Sequence, residues 1–128
     1  MASPNPLSSR ASGHDVRRPI RLLIVDDSVV VRRIMAKVFT EDARFSVASA
    51  VASGEQAVDF VRAHPVDLVL LDMNMPGEDG LTVLSKILGH DRHIQVVLLS
   101  AICREGSDIA LKALALGAAD VIAKPAAG

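Results

Sequence analysis

Residues 66–77 read VDLVLLDMNMPG, an apolar run of strand length that ends on Asp72 and is followed at once by a loop containing Pro76 and Gly77. Unbroken aliphatic residues are typical of a strand buried on both faces, and such strands occur almost only in parallel sheets covered by helices. Asp72 is therefore predicted to lie at the carboxyl edge of a buried strand, where open α/β sheets bind ligands. An ionised carboxylate there must be paired, metal-bound or used in chemistry, because leaving it desolvated and alone is too costly.

The composition indicates one globular domain with an aliphatic core. The chain has 128 residues, half of them hydrophobic, with three Phe and no Trp or Tyr. Its net charge of −1 gives no reason to expect binding to nucleic acid or to a membrane surface. The sequence lacks the apolar core of a signal peptide, and no apolar run approaches the ~18 residues of a membrane span. The single cysteine, Cys103, cannot form an internal disulfide, which fits a cytoplasmic location.

Strand and helix patterns alternate along the chain after a leader, residues 1–19, which is rich in Ser, Pro and Arg and is expected to be disordered. Strands are predicted at residues 20–25, 45–51, 66–72, 94–99 and 119–123. The intervening helices are predicted to begin at Asp27 or Ser28, at Ser53 in a Ser-x-x-Gln capping box, at Gly80, and at Ser107. This alternation predicts a parallel sheet with right-handed crossovers and helices on both faces.

Helix faces and ends are predicted from the spacing of apolar residues and from glycines. Gly89 and Gly117 are the expected stops of the third and fourth helices. Asp67, Glu78, Asp79 and Asp120 are interpreted as solvated loop or cap residues. The residues available for burial at helical spacing are Val31, Ile34, Met35 and Val38 in the first helix, Ala57, Val58 and Val61 in the second, Leu81, Leu84, Ile87 and Leu88 in the third, and Ile109, Leu111, Leu114 and Ala115 in the fourth.

Polar residues collect where the predicted strands end. Parallel strands place their carboxyl ends at one edge of the sheet, and the residues expected there are Asp26, Asp27, Asp72, Ser100 and Lys124. Carboxylates about 5 Å apart repel by about 3 kcal/mol per pair at an effective dielectric of about 20, so a cation is needed among them. Oxygen ligands without His or Cys favour Mg²⁺, with the carbonyl of Asn74 as a further ligand. The predicted chemistry is phosphoryl transfer onto a carboxylate, assisted by Lys124 and Ser100.

These residues at this spacing resemble the receiver domain of two-component response regulators, over residues 20–125. The matching motifs are Asp26-Asp27, Asp72 in DMNMPGEDG, Ser100-Ala101 and Lys124-Pro125. The resemblance implies a doubly wound, flavodoxin-like α/β fold with a five-stranded parallel sheet in the order 2-1-3-4-5. It also implies a cis peptide bond between Lys124 and Pro125.

The resemblance assigns roles to individual residues. Asp72 would accept phosphate from a histidine kinase, while Asp27 would bind Mg²⁺ directly, Asp26 mainly through water and Asn74 through its main-chain oxygen. Ser100 would follow the phosphoryl group, and Lys124 would contact its oxygens. Receivers generally carry an aromatic switch residue where this chain has Val121, so the signal is expected to travel instead by backbone shifts after Ser100.

A narrower resemblance, in LLSAICREGSDIALKALALGAADVIAKP, is to the receiver half of chemotaxis protein-glutamate methylesterases. It implies a parent protein with a C-terminal esterase, of which residues 126–128 would begin a truncated linker or fifth helix. Without the fifth helix, apolar surface would be exposed beside the first helix, and the chain would form a homodimer through that face. This chain by itself would only transfer phosphate to its own Asp72, and neither nucleic acid nor a membrane is an expected partner.

Two groups of alternatives stay open at this point. Within the receiver interpretation, the parent could be a DNA-binding regulator or a stand-alone receiver, since both carry the same switch. In another functional class, phosphatases of the haloacid-dehalogenase type also use Asp, Mg²⁺, Ser and Lys, but their nucleophile lies in an Asp-x-Asp pattern on the first strand, whereas this chain has Asp26-Asp27. A dinucleotide-binding domain is disfavoured because no Gly-x-Gly-x-x-Gly follows the first strand.

Overall fold

The structure is a computed structural model that describes residues 18–101 and 107–124. Its elements alternate as the sequence predicts. In chain order they are β1 (Ile20–Val25), α1 (Val29–Thr40), β2 (Phe45–Val51), α2 (Gly54–Ala63), β3 (Leu68–Asp72), α3 (Gly80–His90), β4 (Gln95–Ser100), α4 (Asp108–Ala115) and β5 (Asp120–Ala123). The predicted leader up to residue 17, Cys103 and the segment 125–128, with the expected Lys124-Pro125 cis bond and the beginning of a linker or fifth helix, lie outside the described residues.

The strands form one five-stranded parallel sheet in the order β2-β1-β3-β4-β5, which confirms the predicted topology. β1 and β3 are direct neighbours, with Val25 opposite Leu71, and Asp72 of β3 lies opposite Leu99 of β4. Because all strands run in the same direction, the residues that follow β1, β3, β4 and β5 share one edge of the sheet. The predicted limits of the first two strands match the structure, and those of the other three differ at one or both ends by one or two residues, the ordinary uncertainty at element ends.

Aliphatic residues cover both faces of the sheet. The larger cluster lies under α2, α3 and α4 and includes the fully buried Leu23, Leu71 and Leu98. The smaller cluster, on the opposite face, contains Leu22, Ile24, Leu70 and Leu99, and α1 packs on it. Alternate residues of a strand point to opposite faces, so β1 contributes to both clusters. Within the described residues, no helix is both long and apolar enough to cross a membrane.

Side-chain caps begin the helices. Ser28, one of the two predicted alternatives, caps α1 by accepting a hydrogen bond from the Val31 N–H at 3.2 Å. Ser53 caps α2 as predicted, since its hydroxyl accepts from the Gln56 N–H at 3.1 Å, but the Gln56 side chain accepts from the Ala52 N–H and not from that of Ser53, so the capping box is only half formed. Ser107 caps α4 in the predicted way.

The predicted stop of α3 at Gly89 is wrong, because the helix continues through Gly89 to His90. Glycine inside a helix costs about 1 kcal/mol relative to alanine, which the buried residues Leu84 and Ile87 of the same helix outweigh. Gly117 does terminate α4, and its φ of 111° is a left-handed conformation that favours glycine.

The predicted inward face of α4 is also wrong. Its buried residues are Ala110 and Ala113, whereas Ile109, Leu111 and Leu114 are each about half exposed. Small alanine side chains allow a short helix to approach the sheet closely, and the larger side chains one position away then point outward. Apolar spacing alone does not distinguish these two faces, because both satisfy the same period.

The apolar residues that the sequence offers for burial in α1 are only partly buried in the structure. Met35 packs against the smaller cluster, but Ile34 is 57% exposed and Val38 is 58% exposed. Ile122 of β5, which lies on the same face of the sheet, is 44% exposed. Among the described residues, apolar side chains are therefore exposed on α1 and on β5, which lie toward opposite edges of the sheet, and the open surface expected beside the first helix stays a prediction.

Asp67, which immediately precedes β3, is not the solvated residue predicted from sequence. Its carboxylate accepts hydrogen bonds from the main-chain N–H of Arg21 at 2.8 Å and from the Arg21 guanidinium at 3.1 and 3.0 Å, and Arg18 adds a contact at 3.2 Å. Burial raises the pKa of Asp67, but the hydrogen bonds and charge of Arg21, together with the charge of Arg18, outweigh it, and the pKa lies below its ordinary value. This ion pair joins β1 to β3 at the edge opposite the acidic residues.

Replacing Asp67 with Asn is expected to lower the free energy of unfolding at pH 7 by about 1 to 3 kcal/mol, because hydrogen bonds between charged groups contribute on that order. Since the folded-state pKa is depressed, this contribution is complete above the unfolded-state value of about 3.9 and is lost as the pH falls through the folded-state pKa. Urea unfolding at a series of pH values from 7 down to ~2.5 would measure how far the difference in free energy of unfolding between the wild type and Asp67→Asn shrinks. Asp59→Asn, on the exposed side of α2, is the control. A difference that stays constant over this range would contradict the prediction.

Candidate functional site

Three carboxylates converge at the carboxyl edge of the sheet. Asp26, Asp27 and Asp72 each offer an oxygen, and these oxygens lie within 4.8 Å of one another. Asp26 directly follows β1 and is 1% exposed, while Asp72 ends β3 and is fully buried. Asp27 is exposed, so the cluster opens to solvent on its side. Because β1 and β3 are adjacent strands, the structure brings together the acidic residues that the sequence predicted for one site.

Lys124 supplies positive charge to this cluster. Its Nζ lies 3.0 Å from Asp26 Oδ2 and 3.0 Å from Asp72 Oδ2, and its side chain is 19% exposed. Burial lowers the pKa of Lys124, but the adjacent carboxylates of Asp26 and Asp72 outweigh this effect and raise the pKa above its ordinary value. Lys124 is therefore protonated at neutral pH. The main-chain N–H of Lys124 donates to the Ser100 carbonyl at 2.8 Å, which fixes the end of β5 beside β4.

One buried oxygen of the cluster has no hydrogen bond. Asp26 Oδ1 accepts from the Ser28 N–H at 2.9 Å, whereas Asp26 Oδ2 lies 3.0 Å from the Lys124 ammonium in an ion pair that lacks hydrogen-bond geometry. Three carboxylates beside this one ammonium leave negative charge in a largely buried place, and a bound cation would balance it. The donor atoms available are all oxygens, the preference of Mg²⁺. The carboxylates of Asp26, Asp27 and Asp72 thus fit a magnesium ion, and the main-chain oxygen of Asn74 as a further ligand stays a prediction.

The loop after β3 is held against the site by several contacts. The Asn74 N–H donates to Asp72 Oδ1 at 2.9 Å, and the Asn74 side-chain oxygen accepts from the Ala101 N–H at 2.8 Å. Met75 is buried beneath the loop, and Met73 lies against Gly80, where a Cβ would come 2.6 Å from its sulfur. Asn74 therefore connects the loop that follows Asp72 to the end of β4.

The remaining predicted site residues lie close to this edge. Ser100, the last residue of β4, is 6% exposed and follows Leu99, which pairs with Asp72. Val121 pairs with Leu98 and packs, partly buried, against the larger apolar cluster. Val121 therefore lies two residues before the end of the sheet where the acidic residues meet, and its place in the switch, where receivers generally carry an aromatic residue, stays a prediction.

Sequence reasoning missed Arg32. Its Nη1 donates to the main-chain oxygen of Asp26 at 2.8 Å, which brings a second cation next to the acidic residues. Arg32 lies four residues after the cap Ser28, and its main-chain N–H donates to the Ser28 carbonyl. The sequence does place this arginine one turn into the helix that follows the acidic pair. Arginines are so common on helix surfaces, however, that this spacing does not predict a contact.

A doubly wound sheet with this acidic cluster and lysine at its carboxyl edge is the arrangement that the resemblance to receiver domains predicts. The chain matches the family model described as response regulator receiver domain over residues 22–128. The chain therefore belongs to the response regulator receiver domain family.

Curated relatives are longer enzymes. The chain is 36% identical to protein-glutamate methylesterase/protein-glutamine glutaminase 1 of Rhodospirillum rubrum. The 118 aligned residues cover 92% of this chain and 30% of the relative. It is 46% identical to protein-glutamate methylesterase/protein-glutamine glutaminase 2 of Rhodopseudomonas palustris. Here the 106 aligned residues cover 83% of this chain and 28% of the relative. The chain thus spans less than a third of the length of either relative.

Solved structures agree with the fold. The response regulator domain of Thermotoga maritima CheB superposes with a TM-score of 0.78 at 30% identity, covering 84% of this chain and 80% of that one. A chain of the CheX-CheY-BeF3-Mg+2 complex of Borrelia burgdorferi gives 0.77 at 36% identity, covering 85% and 81%. A chain of the complex between the P1 domain of CheA3 and CheY6 from R. sphaeroides gives 0.69 at 35% identity, covering 84% of each.

Replacing Lys124 with Met is expected to lower the free energy of unfolding in metal-free buffer by about 3 to 5 kcal/mol, because it leaves buried carboxylates without their cation. In an Asp72→Asn background the same replacement should cost less, since one of those charges is already removed. Urea denaturation of the four proteins of this cycle would give the coupling energy. Lys112→Met, on the exposed surface of α4, is the control. Costs that add within about 0.5 kcal/mol would contradict the prediction.

Proposed function

We propose that this chain is a phosphorylation-controlled switch in which Asp72 accepts a phosphoryl group from a histidine kinase of the chemotaxis type. The observation that carries the proposal is the buried Asp72 carboxylate, 3.0 Å from Lys124 Nζ and within reach of two other acidic side chains. A buried carboxylate at an open sheet edge, next to a cation and oxygen ligands, is suited to act as a nucleophile toward phosphorus.

In the proposed reaction, an oxygen of Asp72 forms a bond to phosphorus while the bond from phosphorus to the donor nitrogen breaks, and the donor keeps that electron pair. The ammonium of Lys124 compensates charge on the transferred phosphoryl oxygens, because it already lies beside Asp72 Oδ2. Bound Mg²⁺ would supply electrostatic stabilisation of phosphate charge. Asp26, Asp27, Asp72 and the Asn74 main-chain oxygen are the residues proposed to hold it.

The proposed output of phosphorylation is a rearrangement after Ser100. The Ser100 hydroxyl is proposed to follow the phosphoryl group, and the Ala101 N–H, now bound by the Asn74 side chain, lies on the same short segment. With Val121 where receivers generally carry an aromatic residue, backbone movement of this segment is the proposed route of the signal. Phosphorylation would change the affinity for a partner only as far as the two conformations differ in binding free energy.

The parent protein is proposed to be a chemotaxis protein-glutamate methylesterase, located in the cytoplasm, whose C-terminal domain this receiver regulates. The identity to two such enzymes supports this, as does the superposition on the CheB response regulator domain. A histidine kinase as donor is supported by the complex of the CheA3 P1 domain with CheY6. The magnesium assignment is supported by the complex of CheY with BeF3 and Mg+2 and by the acidic cluster of this chain.

Incubation with acetyl phosphate and Mg²⁺ is expected to load one phosphoryl group onto the wild-type chain and none onto Asp72→Ala, because the accepting oxygen is removed. Intact-mass spectrometry would measure the added mass, with EDTA expected to abolish it. Asp59→Ala, on the exposed side of α2, is the control and should load normally. Equal labelling of Asp72→Ala would contradict the proposal. Steady hydrolysis of many phosphoesters would instead favour a phosphatase of the haloacid-dehalogenase type.

A homodimer through the uncovered face is a further part of this proposal. Ile34 and Val38 of α1 and Ile122 of β5 are each exposed by 44% or more on the same side of the sheet. Exposed apolar side chains favour association, because burial in an interface removes them from water. In a longer parent, additional chain could cover the same surface instead.

Light scattering at rising protein concentration is expected to show the mass moving from monomer toward dimer. Ile34→Lys should shift this equilibrium toward monomer, since it places a charge in the proposed interface. Leu111→Lys, at a similarly exposed apolar residue of α4 on the other face of the sheet, is the matched control. A monomeric wild-type mass at every concentration would contradict the dimer.

A further inference from the structure

The side chain of Glu78 makes a connection that the proposed phosphoryl chemistry does not use. Glu78 lies in the loop between β3 and α3, yet its carboxylate binds the beginning of α2. Oε1 accepts from the Gly54 N–H at 2.7 Å, and Oε2 accepts from the Glu55 N–H at 3.2 Å. These are the first two N–H groups of α2, which have no partner within the helix.

Packing at Gly54 allows this approach. A Cβ on Gly54 would lie 2.8 Å from Glu78 Oε2 and would also collide with the Cγ2 atom of Val83 in α3. Gly54 is buried, so the start of α2 sits directly against the loop and α3. The Gln56 N–H is satisfied locally by Ser53, and Glu78 therefore completes the cap of α2 from more than twenty residues away.

The same loop carries the residue proposed to offer a main-chain oxygen to Mg²⁺. Asn74 is anchored on one side by Ala101, and Met75 is buried beneath the loop. The Glu78 N–H donates to the Met75 carbonyl at 3.3 Å, which forms a turn ending at Glu78. The contact between Glu78 and α2 thus holds the far end of the short segment whose near end is Asn74. Without that contact, the far end of the segment would be held only by its connection to α3, which Asp79 caps.

We propose that Glu78 is a positioning residue, which holds the loop 73–79 against the start of α2 and thereby sets the affinity of the acidic cluster for Mg²⁺. This inference rests on the proposed function for the identity of the metal site. Glu78 itself contacts neither the ion nor Asp72. Its effect comes through the main chain of the loop, as residues that orient metal ligands act in other proteins.

The test compares Mg²⁺ dissociation constants, measured on the whole 128-residue chain from amide chemical shifts of the unphosphorylated protein. Glu78→Ala removes both acceptor oxygens and is expected to weaken Mg²⁺ binding about tenfold, the order seen when supporting residues of a metal site are removed. Glu78→Gln keeps one acceptor oxygen and should fall between Glu78→Ala and the wild type. Faster hydrogen exchange at Gly54 and Glu55 in Glu78→Ala would report that the contact has been lost.

Glu55→Ala is the matched control, since it removes an equal charge from the first turn of α2 and leaves the loop contact in place. It should bind Mg²⁺ as the wild type does. Equal affinities of Glu78→Ala and the wild type would overturn the proposal, even if the melting temperature falls, and so would equal weakening by Glu55→Ala. If Glu78→Ala does not fold, an unchanged affinity of Glu78→Gln overturns it.

Acetyl phosphate labelling of the same proteins separates this inference from the proposed function. A wild-type chain that binds Mg²⁺ but is not labelled at Asp72 refutes the phosphoryl-accepting role, while the affinity ratio of the variants still decides the role of Glu78. Labelling at saturating Mg²⁺ should reach the wild-type level in Glu78→Ala, because the accepting oxygen and Lys124 are unchanged. A wild-type chain that does not bind Mg²⁺ overturns both proposals.

Discussion

The contact between the Lys124 ammonium and the carboxylates of Asp26 and Asp72 is the interaction on which the site depends. Both carboxylates are buried, and each lies 3.0 Å from the same nitrogen. Without this cation, two desolvated negative charges would face each other at the end of adjacent strands, which costs several kcal/mol. Lys124 and Arg32 together carry less charge than three ionised carboxylates, so the described residues of the site leave a net negative charge that favours a further cation.

The contact of Lys124 with the two buried carboxylates requires the parallel topology of the sheet. Lys124 follows the edge strand β5, whereas Asp72 ends the central strand β3, and β4 lies between them. The long Lys side chain spans this distance, while its main-chain N–H bonds to the carbonyl of Ser100 on β4. The order of the strands therefore decides which polar residues meet, and the length of the lysine side chain decides that its charge reaches the acidic residues.

The loop after Asp72 is the second determinant of the site, because it is held from several directions. Asn74 connects it to Ala101 at the end of β4, and Glu78 connects it to the start of α2. The acidic cluster and the helix layer on one face of the sheet are therefore mechanically connected through a few side chains. On the other face, α1 leaves apolar residues exposed among the described residues, and the two faces differ in how completely they are covered.

Local patterns were sufficient to predict most elements. The unbroken aliphatic run before Asp72 predicted a buried parallel strand, and Ser53 with Gln56 predicted the start of α2, because caps and strand burial depend on neighbouring residues in sequence. The alternation of elements predicted that the acidic residues would share an edge. The strand order itself came from the family resemblance.

What the sequence determined by itself, then, is the set of elements and the polar residues that end each strand, since these follow from local periodicity and turn chemistry. Only the tertiary structure decided that α4 buries Ala110 instead of Leu111, that Asp67 pairs with Arg21, and that Glu78 caps a helix distant in sequence. These choices depend on how closely two surfaces approach and on which groups meet across the fold, and neither quantity is encoded in the spacing of residues along the chain.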